Sequence, residues 1–242
     1  MKLKHVAAAF ILASIAGSAS AAVLVVRASG PSAKSFPAGK ALADNARISL
    51  KANDSLVLLD SRGTRTLRGP GVFTPGGPAV ANTRSAIGTA AVSTSNRRAR
   101  IGAVRSVGMT TARSPSIWHV DVSKSTNFCV ADPAKVTLWR ADGTKAAALT
   151  VTGADGKAET LAWAEGSTTL IWPADLTISE GSRYTLNWPG AAAPTALTFR
   201  TLAKPGGIED MAASLIQKGC QAQLDLLIET VRQPGEEAAP AG

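Results

Sequence analysis

Turn residues recur at short intervals along most of this chain and leave little room for long elements. Between 23 and 73 the candidate strands are Val23–Arg27, Ala46–Lys51, Ser55–Leu59 and Thr64–Leu67. They are punctuated by Gly30-Pro31, Pro37-Ala38-Gly39, Asn53-Asp54, Asp60-Ser61-Arg62-Gly63 and Gly69-Pro70-Gly71. Such clusters reverse the chain. Parallel neighbours need crossovers of a dozen or more residues, so these intervals predict antiparallel pairing. The pattern returns further on, with candidate strands Ile117–Val122, Asn127–Val130, Lys135–Arg140, Ala146–Thr152, Lys157–Ala164, Thr168–Trp172, Ser182–Trp188 and Ala196–Leu202. Asp142-Gly143, Asp155-Gly156, Glu165-Gly166 and Glu180-Gly181 lie between them. Eight short strands at this spacing predict an antiparallel β-sandwich or a barrel, of which we take the sandwich.

One segment breaks the rule. From Ile208 the apolar residues Met211, Ala212, Leu215, Ile216, Cys220, Leu224, Leu227, Ile228 and Val231 follow in steps of three and four. That stripe predicts a C-terminal α-helix within 204–233, packed on the sandwich. Glu209 and Asp210 suit its positive N-terminal end, and Gly219 marks a kink. Residues 234–242 read as a frayed tail. Two strand ends echo each other, Thr169-Leu170-Ile171-Trp172-Pro173 and Thr185-Leu186-Asn187-Trp188-Pro189. Proline cannot donate to a ladder, so each should end its strand at an edge.

The first 22 residues read as an export signal. Lys2, Lys4 and His5 precede the apolar stretch Val6–Ile15, and Gly17-Ser18-Ala19-Ser20-Ala21 supplies small residues for cleavage after Ala21 or Ala22. An uncleaved anchor is the alternative, because Val23–Val26 extends the apolar run. With the signal removed, no segment is expected to span a membrane, and the protein is expected to be periplasmic or secreted. Loss of Lys2 and Lys4 takes the formal charge from +9 to +7.

Charge divides the rest. Residues 22–60 carry five basic and three acidic residues; residues 61–116 carry nine Arg and no acid; residues 117–242 carry ten basic and fourteen acidic residues, both Cys and all five Trp. This shift predicts a boundary near 114–117.

In the first part, Val25-Val26-Arg27-Ala28-Ser29-Gly30, Phe36-Pro37-Ala38-Gly39-Lys40-Ala41-Leu42, Ile48-Ser49-Leu50, Ser55-Leu56-Val57-Leu58-Leu59-Asp60 and Leu67-Arg68-Gly69-Pro70-Gly71-Val72-Phe73 follow one another. This run resembles an FecR-type periplasmic domain. The resemblance covers 23–73 and implies a small, non-catalytic β module. The family's anti-sigma region and membrane span have no counterpart here, so it does not imply sigma-factor control.

Residues 74–116 read as an Arg-rich linker or docked segment. Within it, Arg97, Arg98 and Arg100 are candidate contacts for an anionic envelope polymer. No aromatic residue interleaves with them, which argues, together with export, against nucleic acid.

Chemistry is sparse. Two Cys and two His cannot assemble a multi-ligand Cys/His zinc site. Asp142, Asp155 and Asp175 sit outside any calcium-loop pattern, and no glycine-rich phosphate loop follows a strand, so no cofactor is expected. His119 shares a strand face with Asp121, as two members of a hydrolase triad would, but no Gly-x-Ser-x-Gly elbow accompanies them. The five Trp read as core and strand-end packing in preference to a carbohydrate platform. Export makes a disulfide between Cys129 and Cys220 the expected state of the thiols. The reading is therefore a mainly β, two-module, non-enzymatic exported binding or scaffold protein whose partner is an envelope protein or anionic polymer. The alternatives are a sensory module of envelope signalling and a periplasmic hydrolase using His119.

Overall fold

The structure, a computed structural model, describes residues 22–77, 113–189 and 191–232. The N-terminal part contains β1 (Ala22–Ser29), β2 (Ala41–Ala43), β3 (Ile48–Leu50), β4 (Ser55–Asp60), β5 (Gly63–Arg68) and β6 (Gly71–Phe73). A four-stranded sheet has the order β2-β1-β4-β5, and β3 pairs with β6 in a small second sheet. All pairing here is antiparallel. β2 and β6 were not among the candidate strands: Ala41–Ala43 offers a single large apolar side chain, and Gly71–Phe73 begins inside a turn cluster.

The consecutive apolar residues Val23–Val26 are explained by burial on both faces of β1. Val23 and Val25 pack with Leu42, Ile48, Leu50, Leu56, Leu58 and Leu67. Leu24 and Val26 turn the other way, with Leu59, into a core made by the C-terminal helices. A strand covered on one face alternates; one covered on both does not.

The C-terminal part holds β7 (His119–Asp121), β8 (Thr126–Val130), β9 (Thr137–Trp139), β10 (Ala147–Gly153), β11 (Ala158–Trp163), β12 (Thr169–Ile171), β13 (Arg183–Asn187) and β14 (Thr195–Thr201). They form a five-stranded sheet, β11-β10-β13-β14-β8, and a three-stranded one, β12-β9-β7. Their inner faces share a core in which Trp172, Tyr184 and Phe199 meet edge-to-face. Each predicted strand of this part is present.

Two pairs depart from antiparallel order: β8 runs parallel to β14 and β7 parallel to β9. The chain between the partners is long enough for a crossover in both cases. Both Trp-Pro strands stop before the Trp, at Ile171 and Asn187. Only β12 lies at an edge; β13 is interior, and its Pro189 falls beyond the ladder where no donor is needed.

The single predicted helix is two, α1 (Ile208–Lys218) and α2 (Gln221–Thr230). Gly219 adopts φ +70°. Its N–H donates to Ile216 O at 3.1 Å, and Cys220 N–H donates to Leu215 O at 2.9 Å. This pair of bonds satisfies the last carbonyls and terminates α1, as a left-handed glycine does at a helix end. The stripe continues because α2 packs into the same core. That core contains Leu24, Val26 and Leu59 from the first part, Cys129 and Leu202 from the second, and Leu215, Leu224 and Leu227 from the helices. The hairpin therefore packs on both β parts, not on the sandwich alone.

Three of the nine arginines of 61–116 are built into the fold. Arg62 pairs with Asp60 at 2.6 Å, Arg65 is buried and donates to Gly77 O, and Arg113 pairs with Glu229. Arg97, Arg98 and Arg100 lie outside the described residues, as do residues 1–21 of the 22-residue signal segment and the whole tail 234–242. Among the described residues no helix is long and apolar enough to cross a membrane.

Candidate functional site

A cleft of about 360 Å³ opens where α2 lies against β7, β8 and the chain entering them. It exists because β7 and β8 are edge strands of opposite sheets, leaving that side of the sandwich for the helix to close. Phe128, Ile117, Ala222 and Leu226 supply apolar lining. Charges stand around them in pairs. Arg113 meets Glu229, Arg27 meets Asp225, and Lys124 Nζ lies 3.0 Å from Asp121 Oδ2. Gln221 Nε2 also donates to Asp225, at 2.7 Å.

His119 and Asp121 both line this cleft, on one face of β7 with buried Val120 between them. No hydrogen bond joins them among the described residues. Residues two apart on a strand stand roughly 6.6 Å apart. The Asp121 carboxylate is already occupied: Oδ1 accepts from Ser123 N–H at 3.0 Å and from Ser123 Oγ–H at 2.6 Å, and Oδ2 faces Lys124. Burial pushes the His119 imidazole below its ordinary 6.5, which favours the neutral ring. Its Nδ1 is shielded from solvent and makes no hydrogen bond among the described residues. The sequence placed these two residues on the right face; the dyad that a triad needs does not form.

The cleft's back wall was not legible. Gln223 of α2 is buried. Its Oε1 accepts from Cys129 N–H at 2.6 Å, and its Nε2 donates to Cys129 O and Ile117 O, each at 2.9 Å. One amide thereby joins the edge strand β8 to the chain entering β7. The available signal was a polar residue at 223, four before Leu227 in the apolar stripe. Beside it, Cys129 and Cys220 form a disulfide, with Cα atoms 5.9 Å apart.

The other residues singled out from the sequence serve the fold. Asp142 and Asp155 accept from the backbone N–H of Thr144 and Lys157 in turns. No group of three or more potential metal ligands occurs among the described residues. Trp139, Trp163 and Trp172 are buried, and Trp188 and Trp118 pack at the margins of the two cores. No protein-family model matches this chain, and no curated protein sequence matches it.

Proposed function

We propose that this chain is an exported, non-enzymatic binding protein of the bacterial envelope that takes a small amphiphilic ligand between α2 and the β7–β8 edge. The observation that carries this reading is the cleft itself: an apolar lining of Ile117, Phe128, Ala222 and Leu226 and a charged rim of Arg113, Glu229, Lys124 and Asp121. An apolar hollow with a few convergent polar groups is the usual form of a small-molecule site. Export is supported by the leader-like segment and by the disulfide, which persists in oxidising compartments. The resemblance of 23–73 to FecR-type domains supports the periplasm as that compartment. A net positive mature chain favours anionic partners. The engagement of Asp121 by Ser123 and Lys124 counts against the hydrolase reading.

The test is a thermal-shift screen of envelope-derived peptides, acyl compounds and anionic sugars against the wild type and Leu226→Trp, which fills the cleft. The reading expects saturable stabilisation of the wild type that is lost in the variant. Stabilisation retained in Leu226→Trp, or none by any class, would overturn it.

A further inference from the structure

β5 is the last strand of its sheet, and its outer edge is only partly covered. Thr64 carries the contact there: its N–H donates to Val231 O at 3.0 Å and its hydroxyl to Ile228 O at 2.9 Å. The backbone leaving α2 thereby forms a parallel bridge, Thr64 with Arg232. Along a strand the N–H and C=O groups face the same side at every second residue. Those of Thr66 and Arg68 therefore face outward beside those of Thr64. Neither backbone has a partner on that side among the described residues.

A row of unpaired backbone groups is a template for a further strand, and the chain itself supplies one. At Arg232 it runs in the same direction as β5, from Thr64 toward Arg68. Residues 233–242 follow and lie outside the described residues. We propose that residues 233–237 continue the pairing as a short parallel strand on β5, so that the protein's own tail occupies this edge.

Two independent features of the tail fit that register. Continued residue for residue from Thr64–Arg232, it sets Pro234 opposite Thr66 and Glu236 opposite Arg68. Because Thr64 N–H bonds Val231 O, the residues that exchange hydrogen bonds with β5 are 231, 233, 235 and 237. Residues 232, 234 and 236 turn their nitrogens away. Pro234 thus falls where a missing N–H is tolerated at a sheet edge. The second feature is charge. Arg68 is exposed and takes part in none of the ion pairs among the described residues. The tail carries Glu236 and Glu237 and no basic residue. A slip of one residue would put Pro234 at a bonding position and turn Glu236 to the opposite face from Arg68. The inference rests neither on the cleft nor on export.

Amide hydrogen exchange, followed by NMR on protein obtained by expressing the full chain, tests it. The account expects the amides of Thr66, Arg68 and Gly235 to exchange at least about tenfold slower than their intrinsic rates, with Glu236, facing away, at about its intrinsic rate. Gly235→Pro removes the donor that meets Thr66 O and should abolish the protection of Arg68; Pro234→Ala removes no bond and should keep it. Glu236→Lys sets like charges opposite each other and should speed exchange at Arg68 about twofold or more. Both proline-site variants lie beyond the packed core, so neither is expected to disturb folding. Tail amides at their intrinsic rates would overturn the proposal. So would protection of Thr66 and Arg68 that survives Gly235→Pro, which would assign the edge to another occupant, a second copy of the chain if that protection falls on dilution.

Discussion

Gln223 hydrogen-bonds the backbone of Cys129 from both sides, accepting from its N–H at 2.6 Å and donating to its carbonyl at 2.9 Å. The side-chain amide takes the place of a neighbouring strand along the outer edge of β8. An unpaired edge invites association with other chains; here a helix covers it and supplies the partner groups. Replacing Gln223 with Leu, of similar size, leaves the Cys129 N–H, its outward carbonyl contact and the Ile117 carbonyl without this partner. Stranding one buried group costs about 1–3 kcal/mol. Urea unfolding of Gln223→Leu should show a loss of at least that size, and a change under 0.5 kcal/mol would show that the clamp contributes little.

The bond between Cys129 and Cys220 closes a loop with a sequence separation of 91. For such a loop the chain-entropy model gives roughly 4–5 kcal/mol, and native disulfides removed from small secreted domains cost about 2–5 kcal/mol. Cys129→Ala with Cys220→Ala should therefore lower stability by about 2–5 kcal/mol in chemical denaturation. Peptide mapping of unreduced periplasmic protein should recover one linked pair. Two freely alkylated thiols in folded material would contradict the pairing.

Gly219 and Gly156 have φ +70° and +83°, and they separate two costs of adding a methyl group. At Gly156 a Cβ meets nothing within 4 Å; at Gly219 it meets Asn127 Nδ2 at 3.3 Å. Left-handed backbone costs about 1–2 kcal/mol for a residue with a Cβ. Gly156→Ala should show that cost alone, and Gly219→Ala should lose more, since it also loads the corner that holds Cys220. Equal losses in parallel thermal melts would show that the corner accommodates the methyl freely.

Glu180 links the turn before β13 to β14 and α1. Its carboxylate accepts from Thr201 N–H at 2.6 Å, from Thr201 Oγ–H at 2.9 Å and from Lys218 Nζ at 3.2 Å. The Thr201 backbone N–H, then its hydroxyl and Lys218, pull the carboxyl from its ordinary 4.5 to about 2. A depressed folded-state value means that the unfolded chain takes up the proton first as pH falls. The contribution is therefore complete above about pH 4.5 and is lost between there and about 2. Glu180→Gln should flatten the fall of stability across that window while leaving the slope above pH 5 unchanged. An identical acid limb in the two proteins would contradict this linkage.

How far the fold was legible follows from these same residues. Every strand long enough to show a run or an alternation was visible, because burial on one or two faces writes itself into the side chains. β2 and β6 were not, since Ala41–Ala43 offers a single large apolar side chain and Gly71–Phe73 begins inside a turn cluster. The Gly219 break was visible as a weak helix former, but its left-handed geometry depends on where the chain turns next. Arg140 gave no signal at all. It is buried, donates to Ala164 O and Ser167 O at 3.1 and 2.9 Å, and lies 4.9 Å over the Trp163 ring. Carbonyls and a ring distant in sequence satisfy that cation. For the cleft, His119 and Asp121 were identifiable as a face-sharing pair, whereas Gln223, Asp225 and Glu229 enter only through the docking of α2. That docking is tertiary information: the apolar stripe announces a buried face without saying that two β parts cover it.

The central structural claim is that the helical hairpin joins both β parts in one core, and native-state hydrogen exchange against urea tests it most directly. Val25 N–H, bonded to Lys40 O at 2.9 Å, reports the N-terminal part; Phe199 N–H, bonded to Ser182 O at 2.9 Å, reports the sandwich. If Leu24, Val26 and Leu59 share a core with Leu215, Leu224 and Leu227, the two amides become exposed in one cooperative opening, with the same free energy and the same urea dependence. Val25 exchanging through a separate opening of lower free energy, while Phe199 keeps the global value, would contradict the account.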